Sequence, residues 1–239
     1  MTQHVLLNSV EHAALKVKTD RSAELGDNLW FAPTFPLEFR SAAAFFPIFI
    51  HKDLQSGQLL PVAMFGFTHG ENLFLRHNRW HEVYHPLSVR RQPFLIGLQR
   101  VVDDGIEQWV RVIHIDLASP RVSQDDGEAL FLPMGGQSPF LTDMAGMLET
   151  LHLGMEDNQR FISALERFGL LESVTLDIQL KTGAAHQLVG FYTIAEEPLA
   201  QLGAEALSEL HQQGYLQAIY LMLASQSRVR NLLDLKNAE

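Results

Sequence analysis

Three histidines at intervals of four, His77, His81 and His85, are the first residues in this sequence with the spacing of a metal site. They lie in RHNRWHEVYHPLSVRRQPF, residues 76–94, where His81-Glu82-Val83-Tyr84-His85 fits the letters HExxH. On a helix, imidazoles at i and i+4 converge on one metal and the intervening glutamate addresses a bound water. The surrounding residues oppose a helix. Asn78–Arg79 reads as a turn, Val83 and Tyr84 favour extended backbone, and Pro86 biases His85 away from helical torsions. In a strand, residues four apart share a face but stand about 13 Å apart, too far for one ion. We therefore expect strand and turn histidines here, with no metal and no cofactor.

The second constellation is His114-Ile115-Asp116, a His-x-Asp pair that points to one face of a strand. Such a pair can supply two ligands of a His/carboxylate iron site, with a distal histidine such as His152 or His186 as the third. This is the basis of an alternative reading, a metal-dependent oxygenase-like enzyme. The helical second half of the chain offers too few strands for the barrel that such a site needs. Nucleophilic and nucleotide chemistry has less support still. The sequence has no G-x-S-x-G elbow, P-loop or G-x-G-x-x-G turn, and PMGGQSP reads as a loop.

The third is the pair Arg90–Arg91, preceded by Arg79, Trp80 and Tyr84. Guanidinium groups bind carboxylate or phosphate in planar, bidentate fashion. Adjacent strand residues point to opposite faces, so both arginines reach one ligand only from a turn. Arginines among aromatics form a candidate pocket for an acidic ligand or peptide, with Arg79, Trp80, Tyr84, Arg90 and Arg91 as its residues. The competing structural role pairs Arg90 or Arg91 with a buried acid such as Glu38 or Glu71.

Composition narrows the partners. The 239 residues carry 28 acidic and 18 basic side chains, a net charge of −10, which disfavours a nucleic-acid surface. Without cysteine there are no disulfides and no thiolate chemistry. The amino terminus lacks the pattern of a secretory signal, and SAAAFFPIFI (41–50) is too short to span a bilayer, so a cytoplasmic location is expected.

The elements that must position these residues alternate without a repeated βαβ period. FPLEFRSAAAFF (35–46) predicts a short helix closed by Pro47. Ile48–Ile50, LLPVAMFGF (59–67) and ENLFL (71–75) read as strands of an antiparallel meander. Residues 93–116 predict a hairpin around Asp104–Gly105, and Asp126–Gly127 precedes a further short strand. From 139 the period becomes helical. Phe140, Met144, Met147, Leu148 and Leu151 share a face, as do Phe161, Ile162, Leu165 and Phe168, with Gly169 as the C-cap. SVTLDIQLKTGAAHQLVGFYTI (173–194) predicts a hairpin about Thr182–Gly183. Helices follow, one ended by Gly214 and one with Leu216, Ile219, Tyr220 and Leu223 as its core stripe. The expected fold is α+β, one domain over residues 1–239: an antiparallel β-rich part to about 135, then a helix-rich part containing a hairpin.

The run Glu71, Asn72, Leu73, Phe74, then Arg79, Trp80, Tyr84, Pro86, Arg90, Arg91, Pro93 and Phe94, resembles the bacterial SapC-like family. Pro36, Glu38, Phe39, Ala42, Ala43, Pro47 and Ile48 match upstream. Leu130, Phe131, Gly135, Leu188, Gly190 and Phe191 match downstream, as do Leu210, Gly214, Leu216, Ile219, Tyr220, Leu223 and Ser225. The pattern places no histidine at 77, 81 or 85. The resemblance implies a non-enzymatic binding or accessory protein that recognises a peptide, an acidic ligand or a partner protein. It further implies association with TonB-dependent envelope uptake or with halogenase- and cupin-like modification enzymes. No catalytic residue set comes with it.

Overall fold

A computed structural model describes the chain except for residues 1, 81–83, 104–105, 182, 184 and 239. In chain order the first elements are β1 (His4–Leu6), β2 (Lys16–Val17), β3 (Phe31–Pro33), α1 (Phe39–Ala42), β4 (Ile48–Lys52) and β5 (Leu59–Met64). Next come β6 (Leu75–Arg76), β7 (Arg79–Trp80), α2 (Leu87–Arg90), β8 (Phe94–Asp103), β9 (Ile106–Asp116), β10 (Val122–Ser123) and β11 (Glu128–Ala129). The last part holds α3 (Pro139–Arg167), β12 (Leu171–Gln179), β13 (Ala185–Ile194), α4 (Glu196–Ala200), α5 (Ala204–Gln212), α6 (Tyr215–Ser225) and α7 (Arg228–Lys236). The class is α+β, with antiparallel sheets and a helix-rich carboxyl-terminal half that contains a hairpin.

The chain forms two compact units, each assembled from separated segments. One comprises Met1–Asp27 and Leu87–His152, the other Asn28–Pro86 and Leu153–Glu239. In the first, β8 and β9 pair from Phe94 opposite Ile115 to Asp103 opposite Ile106, which forms the expected hairpin. The Asp104–Gly105 turn itself lies outside the described residues. β1 adds to β9, giving the order β1-β9-β8, and β10 and β11 flank β2 in a small second sheet. Phe94 and Ile115 on one sheet face pack with Val17, Leu130 and the Leu141, Met144 and Leu148 stripe of α3. That helical spacing of apolar residues is what the 3.6-residue period requires of a helix covering a sheet.

The second unit is built on an antiparallel sheet of order β12-β13-β4-β5-β3. Ile48, Ile50, Val62, Ala63 and Met64 are fully buried, so β4 and β5 are its core strands. The backbone N–H of Ile48 donates to Ser225 Oγ at 2.9 Å, tying β4 to α6. Between Val174 and Leu176 the β12–β13 register slips, and Gly190 opposite takes φ +83°, a bulge conformation that glycine adopts without strain. Thr182 of the expected turn lies outside the described residues. Gly169 closes α3 with φ +64°, as its position predicts.

Two expectations are corrected. ENLFL is not a third strand of the sheet. Asn72 turns the chain by accepting from Phe74 N through its side chain at 3.1 Å and from Leu75 N through its carbonyl at 3.0 Å. Only Leu75–Arg76 is extended. On α6 the buried face is Tyr215, Ala218, Ile219, Met222 and Ser225, while Tyr220 is 54% exposed, so the stripe is rotated from the one read in the sequence.

Candidate functional site

The arginine–aromatic segment begins in the second unit with a two-residue hairpin. Leu75 pairs with Trp80 and Arg76 with Arg79, and between them His77 and Asn78 take φ +51° and +60°. Two consecutive left-handed residues make the turn whose twist suits a β-hairpin. Asparagine adopts this readily; histidine does so less often. His77 is therefore a turn residue, incompatible with a helical metal site. His81, Glu82 and Val83 lie outside the described residues.

Strand alternation sends the two sides of this hairpin in opposite directions. Trp80 is 6% exposed and meets Phe65 at 4.9 Å between ring centroids, His85 at 5.0 Å and Phe46 at 6.3 Å. Arg79 is exposed, and no hydrogen bond or ion pair joins its guanidinium to the described residues. Trp80 is thus a buried base and Arg79 an outward cation. Tyr84 stacks on Phe45 at 6.4 Å, and its hydroxyl donates to Glu38 Oε1 at 2.6 Å.

Glu38, buried, also accepts from Thr34 Oγ1 at 2.7 Å. Asn158 Nδ2 donates to the Thr34 carbonyl at 2.9 Å, extending the network onto α3. Glu71 accepts from Phe67 N at 2.7 Å and pairs with Lys236 Nζ at 2.9 Å. The two acids named as partners for the Arg pair are thus occupied by hydroxyls, an amide and a lysine.

The rest of the segment lies in the first unit. Arg90, the last residue of α2, is exposed. Arg91 is half-buried and donates from Nη1 to the Phe94 carbonyl at 2.8 Å, and burial lowers its pKa. The consecutive arginines therefore divide: one points to solvent, the other closes the turn that leads into β8. Arg21 holds this turn from beneath, donating to the carbonyls of Val89 at 3.1 Å and Arg90 at 3.3 Å. Its guanidinium also reaches Asp27 at 3.3 Å. Burial, followed by repulsion from Arg121, lowers the Arg21 pKa to about 10. Arg121, fully buried, donates to Asp27 Oδ2 at 2.6 Å and to the Asp20 carbonyl at 2.7 Å. Arg121 lies 94 positions from Asp27, and no local pattern in the sequence joins it to Arg21 and Asp27.

His114 and Asp116 do share a face of β9, as the His-x-Asp spacing requires. Asp116 Oδ1 accepts backbone amides from Gln3 at 2.7 Å and Ala118 at 3.1 Å, so this carboxylate fastens the end of the sheet. The His114 ring lies against Gly97, where a Cβ would stand 2.2 Å from it. Among the described residues no group of three or more metal-ligating side chains is arranged around an ion.

One polar cleft, about 760 Å³, was not foreseen. Arg160, Ser163 and Arg167 of α3, Glu209 of α5 and Tyr215 of α6 line it in the second unit. Tyr215 donates to Asp157 Oδ1 at 2.8 Å, and burial and that acceptor raise its pKa to about 12.

These features describe an α+β protein whose signature segment joins a buried aromatic base to outward arginines. The SapC family model matches residues 7–232, and the chain belongs to that family. Neither the curated proteins nor the solved structures contain a significant match. No helix among the described residues is long and apolar enough to cross a membrane.

Proposed function

We propose that this protein binds and does not catalyse, acting as an accessory protein that recognises an acidic ligand, an acidic peptide or a partner protein through arginines of residues 79–91. The observation that supports it is the Arg79 guanidinium, exposed at a tight hairpin whose opposite face is anchored by buried Trp80. A rigid base lowers the entropy lost when a long side chain is fixed on a ligand. Arg90, on the first unit, is an exposed guanidinium able to hold an acidic group by itself. Arg91 and Tyr84 support the segment by their bonds to Phe94 and Glu38. The family resemblance adds a setting: work beside envelope uptake systems or halogenase- and cupin-like enzymes.

Titration with a labelled oligoglutamate peptide tests this reading. Arg79→Ala and Arg90→Ala should each weaken binding about tenfold, the scale of one charged hydrogen bond, and leave thermal unfolding unchanged. Binding undiminished in the double variant would reject it.

A further inference from the structure

The edge of β9 is only partly covered. β1 pairs along it from Asp116 to His114 and makes a last bond from Leu7 N to Ile113 O at 2.9 Å. The chain then leaves the sheet. Asn8 Oδ1 accepts from Val10 N at 3.1 Å and Glu11 N at 2.8 Å, a turn that carries the backbone away. β9 itself continues to Ile106. Successive strand residues direct their N–H and C=O groups to alternate sides. Ile113 bonds towards β1, while Asp116 N bonds to Pro93 O on the β8 side. Trp109 and Arg111 therefore turn their peptide groups to the open edge, where no strand pairs among the described residues.

Beside this edge runs an apolar groove of about 530 Å³, lined by Ile96, Ile113, Phe131, Leu141, Ala145 and Leu148. Arg111 and Glu149 form an ion pair at 2.8 Å at its rim, both side chains nearly half exposed. The floor continues the sheet face on which Phe94 and Ile115 pack. Among the described residues no strand pairs with the outer edge of β8 either; the adjoining groove is what distinguishes β9.

We propose that the open edge of β9 binds an extended peptide, which takes up the line of β1 where β1 ends. The peptide backbone bonds to Trp109 and Arg111, and alternate side chains, required to be apolar and β-branched or leucine, enter the groove against α3. The intervening side chains face solvent and are free to vary. The occupant is fixed by two features together: unpaired peptide groups call for another backbone, and a groove whose floor is Ile96, Ile113, Leu141 and Leu148 calls for apolar residues at period two. β1 demonstrates the pairing on the same edge with His4, Val5 and Leu6. This site shares no residue with the arginines of residues 79–91 and does not rest on the reading given for them.

The test uses full-length protein and a fluorescein-labelled peptide of alternating threonine and valine, followed by anisotropy. Arg111→Pro removes the outward N–H, whereas the β8 ladder uses the intervening residues, so an edge proline is tolerated. Ala145→Glu blocks the groove. Saturable binding is expected for the wild type. It should weaken about tenfold or more in either variant, and equally for a peptide N-methylated at alternate residues. Arg79→Ala should bind as the wild type does. Amide exchange at Trp109 and Arg111 should slow when the peptide is bound. No saturable binding by the wild type, or binding that ignores N-methylation, overturns the proposal. Should Arg111→Pro fail to fold, Ala145→Glu and the N-methylated peptide still decide it.

Discussion

Arg121 and Arg79 carry the same side chain in opposite circumstances. Arg121 is wholly buried with Asp27, which also accepts from Arg21, so removal of Asp27 leaves two guanidinium groups without their carboxylate. Asp27→Ala should therefore destabilise the first unit by about 3–5 kcal/mol, measured by chemical denaturation, while Arg79→Ala changes stability little. His51 makes a separate prediction. It lies on β4 among Phe31, Phe191 and Trp30, and burial lowers its pKa below 6.5 despite the pull of Asp53. The unfolded chain takes up the proton near the ordinary value and the fold resists it. Its contribution to stability is thus complete above that value and is lost as pH falls towards the folded pKa. Unfolding midpoints measured downwards from pH 6.5 should fall in the wild type, with a shallower slope in His51→Gln.

At the scale of elements, α3 contains two glycines with opposite expectations. Gly146 is exposed with open space where a Cβ would stand, so Gly146→Ala should stabilise by about 0.5–1 kcal/mol. Gly154 faces the Phe35 ring, which a Cβ would meet at 2.3 Å. Gly154→Ala should destabilise by about 1–3 kcal/mol despite the better helix propensity. Paired thermal melts of the two variants check both signs. The helix itself was legible from its apolar period, and the β8–β9 and β12–β13 hairpins from alternation between turn residues. ENLFL was misread because its apolar residues outweighed Asn72, whose side chain and carbonyl accept from Phe74 and Leu75 and turn the chain. The outward Arg79 and inward Trp80 were not legible: the sequence reads the turn at Asn78–Arg79 and groups both side chains in one pocket, whereas the turn at His77–Asn78 puts them on opposite faces of the hairpin. The Arg21–Asp27–Arg121 cluster depends on tertiary proximity and has no local signature.

At the scale of the molecule, β-rich and helix-rich halves of the sequence do not fold as halves. The first unit needs Leu141, Met144 and Leu148 from α3, and the sheet of the second needs β12 and β13. A fragment ending at residue 135 lacks all of these and should show no cooperative unfolding transition by circular dichroism; a cooperative one would contradict this assembly. The proposal that the whole protein binds acidic partners is unusual for a chain of net charge −10, since the overall field repels them. Any such binding must come from local guanidinium groups. The most direct measurement compares titration of the wild type with oligoglutamate and with oligoglutamine at low and high salt. Saturable binding to the acidic peptide alone, weakened by salt, is the predicted result. Equal binding of both peptides, or of neither, would contradict it.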